Sequence, residues 1–151
     1  MSQRILVPLD GSPLAELALS EALALAGLPE SKVILLHVIP PIEDVISDGE
    51  TITVDQQWDI RQARAREYLK SLSERPEWQK VRSETAVEMG NPAHVILDFA
   101  QKHNVNRIVI ATHGRTGISR WVYGSVASKV LEAADRTVVL VRAGSPQEHR
   151  L

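Results

Sequence analysis

Short apolar runs alternate with helix-like segments along these 151 residues, and that alternation restricts the possible folds more than any other feature. Segments 5–9, 33–39, 107–111 and 137–141 are dominated by Val, Ile and Leu, the pattern of strands covered on both faces. A fifth, 81–89, alternates polar and apolar residues as a half-exposed edge strand does. Helix signals lie between them. Ser12 is an N-cap with Pro13 at the first helical position, for a helix over 13–26 that stops at Gly27, Leu28 and Pro29. Residues 54–75 form a long charged helix whose Arg61, Arg64 and Arg66 read as a solvated face. Asn91 caps a helix running to about 103, and a last helix covers 125–134. Five strands alternating with four helices predict one α/β domain over 1–151, an open five-stranded parallel sheet with helices on both faces. Two stretches fall outside the pattern. The acidic segment 40–53 has no clear period and reads as a long loop, and 143–151 as a flexible tail.

The bulk charge and composition exclude several functions. A formal charge of -2 gives no general attraction to nucleic acid or to an anionic membrane surface. With no cysteine there is no disulfide, thiol nucleophile or thiolate metal site. The apolar run at the start is too short for a signal peptide, and no segment approaches the ~18 apolar residues of a membrane span. A soluble, cytoplasmic protein is expected. The last strand, Thr137-Val138-Val139-Leu140-Val141, falls at a sheet edge, where an apolar unpaired strand invites a second chain. A homodimer through it is expected; the alternative is that the C-terminal tail covers it.

The most polar and glycine-rich stretch, ATHGRTGISRWVYGSVASKV over 111–130, follows the strand 107–111. It could hold an anion, hold a partner, or merely connect two elements. In open α/β sheets ligands bind beyond the carboxyl ends of the strands, where the winding reverses. Asp10-Gly11-Ser12 and this stretch both sit at such ends. Glycines let backbone N–H groups approach an anion. Gly124-Ser125 opening a helix would add free N–H groups and a favourable dipole, with the Ser125 hydroxyl as a further donor and Arg115 and Arg120 as positive charge. Neither Gly-x4-Gly-Lys-Ser/Thr nor Gly-x-Gly-x-x-Gly occurs, so the P-loop and dinucleotide-binding fingerprints are absent.

At these residues the chain resembles the universal stress protein family, over nearly its whole length. Residues 4–12 (RILVPLDGS) are similar to the family's first strand and turn, and Leu35-Leu36-His37-Val38 to its second strand. Gly90-Asn91-Pro92-Ala93 resembles the turn before its third helix, and 107–130 with 137–141 its most distinctive part. Members that bind ATP carry Gly-x2-Gly-x9-Gly-Ser/Thr. The pattern maps onto Ala111, Gly114, Gly124 and Ser125, with the first glycine replaced by Ala111. A methyl group there costs little in a strand-like backbone and more at positive φ.

The resemblance implies an adenine-nucleotide alpha hydrolase-like sheet of order 3-2-1-4-5 and a dimer through the fifth strand. It also implies ATP, with magnesium, held by Pro8, Leu9, Asp10, Val38, Ala111, His113, Gly114, Arg115, Gly124, Ser125 and Val126. Asp10 would lie at the adenosine end and Val38 against adenine; alternatively Asp10 only organises the turn into the first helix. Occupancy would act as a signal to a protein partner in a stress response. The competing reading is an interaction module that binds no nucleotide. Catalysis is not expected: phosphoryl transfer needs positioned magnesium ligands, and Asp10 has no second carboxylate beside it. Ser119 and Ser125 lack a base, and none of the five histidines has metal-ligand spacing.

Overall fold

A computed structural model describes residues 3–41, 45–47, 49–112 and 120–142. The five expected strands form one parallel sheet. Its members are β1 (Gln3–Leu9), β2 (Ser31–Ile39), β5 (Ser83–Met89), β6 (Arg107–Thr112) and β7 (Thr137–Arg142), in the order β5-β2-β1-β6-β7. Counting only these strands, that order is 3-2-1-4-5. Ile5 pairs with Val33 on one side and Arg107 on the other, so β1 is central. The inner strands are apolar because both their faces are covered: Ile5, Leu6, Val7, Val33, Leu35, Leu36, Ile108, Val109 and Ile110 are inaccessible to solvent. The chain winds outward from β1 through β2 to β5, then returns to β6 and winds the other way to β7. Right-handed crossovers then place the helices before β5 on one face and those after it on the other. The reversal falls between β1 and β6.

The first helix is broken. α1 (Pro13–Glu16) and α2 (Ala18–Leu25) meet at Leu17, whose N–H bonds back to the Leu14 carbonyl at 3.1 Å in a tight i→i−3 turn. Ser12 caps α1 by accepting the Ala15 N–H at 3.2 Å. α3 (Val54–Ser73) begins at Thr53 with a reciprocal capping box. Thr53 Oγ1 accepts the Gln56 N–H at 3.2 Å, and Gln56 Oε1 accepts the Thr53 N–H at 3.0 Å. α4 (Pro92–Lys102) is capped by Asn91 and packs on α5 (Arg120–Ala133). The open end of β1 is tied to β6 through Asn106, which accepts the Arg4 N–H on Oδ1 at 2.7 Å and returns its own N–H to the Arg4 carbonyl at 2.8 Å.

Two expectations need correction. The segment 40–53 is not structureless: β3 (Val45–Ser47) and β4 (Glu50–Ile52) pair as a small antiparallel hairpin. Asp48-Gly49 between two β-branched runs is a strong hairpin signal, and Gly49 takes the positive φ of 79° such a turn needs. The last helix begins at Arg120 rather than at Ser125. Glycine inside a helix costs roughly 1 kcal/mol but does not end it, so Gly124 is no boundary. The unbonded N–H groups of α5 therefore belong to its first turn at Arg120, not to Gly124 and Ser125. The expected tail at 143–151 lies outside the described residues.

Candidate functional site

The carboxyl ends of β1 and β2 open into a cleft of about 170 Å3, walled by Pro8, Leu9, Asp10, His37, Val38, Pro40, Pro92, Ile96 and Val126. Strand β1 delivers Pro8 and Leu9, β2 delivers His37 and Val38, α4 delivers Pro92 and Ile96, and α5 delivers Val126. Five of the eleven residues named from the resemblance thus meet in one place: Pro8, Leu9, Asp10, Val38 and Val126. Most of the wall is apolar, which suits a flat heterocycle better than a hydrated polar group. The cleft is smaller than the ~300–1,000 Å3 of a typical whole-ligand pocket. The described walls would enclose the base end of a nucleotide and leave the rest of it outside.

Among the described residues Asp10 is the one carboxylate at this cleft. One oxygen accepts the Ser12 N–H at 2.8 Å, the familiar way an aspartate stabilises a turn. Gly11, between them, adopts φ +88°, open to glycine at little cost. Asp10 therefore does organise the turn into α1. Its second oxygen makes no hydrogen bond among the described residues and remains available to a ligand hydroxyl or amine.

His37, named in the sequence only within the second-strand match and not as a site residue, stands in the cleft wall beside Val38. Its ring lies edge-on to Tyr68, with centroids 6.2 Å apart at 71°, and Nδ1 is shielded from solvent without a hydrogen-bond partner. Burial lowers its pKa below the ordinary 6.5, opposed by the negative charge of Asp10 and by the Leu9 backbone. Alternation puts His37 and Val38 on opposite faces of β2. Only at a strand's end can both neighbours reach the same crevice, and no sequence period announces that.

The remaining predicted residues do not line this cleft. Ala111 is buried inside β6, paired with Val141, with no positive φ. That is the strand-like conformation in which its methyl group costs little. Gly124 lies within α5, and Ser125 is exposed there. His113, Gly114 and Arg115 lie outside the described residues, as does the Trp121 side chain. Among the described residues no cluster of three or more His, Asp or Glu side chains could hold a metal ion, and no helix is long and apolar enough to cross a membrane.

A second cavity, of about 290 Å3, lies beside the first and shares His37 and Pro40 with it. Its other walls include Gly11 and the α3 residues Arg61, Arg64, Ala65 and Tyr68. The Tyr68 hydroxyl donates to Glu16 at 2.8 Å. Burial and that carboxylate hold its pKa well above the ordinary value of 10.0.

Comparison with known proteins agrees with this architecture. The family model described as "Universal stress protein family" matches residues 1–142. The universal stress protein YxiE of Bacillus subtilis is 31% identical over 150 residues, covering 94% of this chain and all of that one. Among solved structures, MJ0577 of Methanocaldococcus jannaschii superposes with a TM-score of 0.77 at 24% identity, covering 95% of this chain and 97% of the other. A family member from Arabidopsis thaliana with AMP bound superposes at 0.65 with 17% identity, over 96% of this chain and 94% of the other. The chain belongs to the universal stress protein family.

Proposed function

We propose that this protein is a nucleotide-binding stress-response module, a cytoplasmic homodimer that takes one ATP in each subunit and signals by occupancy. The observation that carries this reading is the convergence of Pro8, Leu9, Asp10, Val38 and Val126 on one mostly apolar cleft at the carboxyl ends of β1 and β2. That is where an open α/β sheet binds ligands, and the cleft suits the adenosine end. The AMP bound to the Arabidopsis relative supports an adenine nucleotide as the ligand class. Magnesium would arrive with the phosphates rather than in a protein cage, since Asp10 is the one carboxylate at the cleft among the described residues.

The triphosphate end would engage 111–126, the stretch that carries Gly114, Gly124 and Ser125. With Gly124 and Ser125 inside α5, its free N–H groups would come from the first turn at Arg120. Ligand binding would shift the population toward one arrangement of that stretch, which a protein partner reads. Turnover is not part of the proposal: among the described residues the cleft has neither a second carboxylate nor a base poised on a nucleophile, and any hydrolysis is taken as slow and incidental.

The second reading, an interaction module without nucleotide, draws on Ala111 in place of the first motif glycine. The strand-like backbone there weakens it. Calorimetric titration of magnesium-ATP into nucleotide-stripped protein separates the two. Binding near one ATP per chain is expected, with a Kd on the order of micromolar, about -8 kcal/mol. Val126→Trp should fill the cleft and weaken ATP at least ~10-fold while leaving the fold intact, because Val126 is only half-buried. No heat with the wild-type protein at two temperatures would overturn the nucleotide reading and leave the interaction module.

A further inference from the structure

We infer that the larger cavity, on the α3 side of β2, is a second binding site, for a small organic anion with a flat apolar body. Its volume of about 290 Å3 lies at the lower end of the ~300–1,000 Å3 range for small-molecule sites. The floor is apolar: Ile39 is 2% exposed, and Ala65 and the Tyr68 ring stand beside it. The rim is cationic. Arg61 and Arg64 are three residues apart on α3, which places both on one helix face, and both line the cavity.

Unlike Lys32, Arg75 and Lys102, these two arginines have no counter-charge among the described residues. Lys32 is paired with Glu84 at 2.7 Å, Arg75 with Glu16 at 3.1 Å, and Lys102 with Asp98 at 3.0 Å. Neither Arg61 nor Arg64 has an ion pair or hydrogen bond among the described residues. Two carboxylates beside the cavity's lining residues have other partners: Glu16 accepts from the Tyr68 hydroxyl and Arg75, and one oxygen of Asp10 accepts the Ser12 N–H. Two unpaired guanidinium groups above an aromatic floor match a carboxylate or phosphate joined to a planar ring. Arg66, on the same helix, does not line the cavity.

The test is a chemical-shift titration of the full chain with sodium benzoate, phenyl phosphate and the neutral benzamide. Saturable shifts at the Gly11, Ile39 and Ala65 amides are expected for benzoate or phenyl phosphate, with a Kd of about 1 mM or below. The tighter of the two anions assigns a carboxylate or a phosphate ester as the ligand class. Arg61→Gln with Arg64→Gln should weaken the anion at least ~10-fold, and Arg66→Gln by less than ~2-fold. Benzamide binding as well as benzoate, or no saturation by about 20 mM, would overturn the site, and neither result depends on a variant. Val126→Trp, which fills the first cleft, should leave anion binding unchanged. Loss of benzoate there would place the anion in the first cleft and sink the second site.

Discussion

His37 carries chemistry that its position in an apolar strand conceals. In the folded chain burial disfavours the imidazolium, so its pKa lies below the unfolded value of 6.5. Below that value the unfolded chain binds a proton that the folded chain resists, and unfolding becomes more favourable. The stability from neutral His37 is therefore complete above pH 6.5 and is lost as pH falls from there through the folded value. Urea unfolding of the wild type and His37→Gln, compared from about pH 7.5 to about pH 5, should show the wild type losing more stability. A constant difference between the two curves over that range would mean that His37 titrates alike in both states. Gly90 sets another constraint at this scale, in the turn that leads into α4 and the cleft wall. Its φ of +145°, and the 2.8 Å that would separate a Cβ there from Val95 Cγ2, disfavour any side chain.

At the scale of elements, α3 matters most, because it forms one wall of the second cavity and its buried residues Ala65, Leu69 and Leu72 join the core. Its outer surface is strongly charged, so packing on that one side and its N-terminal cap must hold it. Thr53→Ala removes one half of the reciprocal cap and should cost about 1 kcal/mol, read as a lower urea midpoint at unchanged slope. An unchanged midpoint would mean that the cap contributes nothing to the folded chain. Helix starts marked by a side-chain cap were legible in the sequence: Ser12 and Asn91 both sit where their residue type predicted. The start of α5 was not read correctly, because Gly124 looks like a boundary and drew attention from Ser119, an N-cap residue type immediately before Arg120. The β3–β4 hairpin was missed for the opposite reason: acidic residues obscured its β-branched pairs, although Asp48-Gly49 marked the turn. In the first cleft, residues on strand ends could be named from the resemblance. Pro92 and Ile96 could not, since they reach it only through the packing of α4 against the sheet.

For the whole molecule, the two edges of the sheet differ. β5 exposes Glu84, Thr85 and Glu88 along with Met89, whereas β7 is Val-rich, half-buried, and leaves Leu140 41% exposed. β7 pairs with β6 along its length, and its other side has no strand partner among the described residues. An apolar edge of that kind is a liability for a lone chain and an interface for two. A two-fold pairing of β7 strands would extend the sheet across both subunits and cover Leu140 on each, by the isologous geometry of most dimers. Sedimentation of the full chain should therefore give about twice the 16.7 kDa of one chain. Leu140→Lys should return it to a single chain, since a charge placed on each side of the axis opposes pairing, with its far-UV spectrum unchanged because Leu140 is outside the core. A wild-type protein that sediments as one chain would remove the dimer from the proposal, leaving the two cavities to work within one subunit. If the variant stays dimeric with its fold intact, the subunits meet on another surface, and signalling by occupancy must then pass through that surface rather than along the sheet.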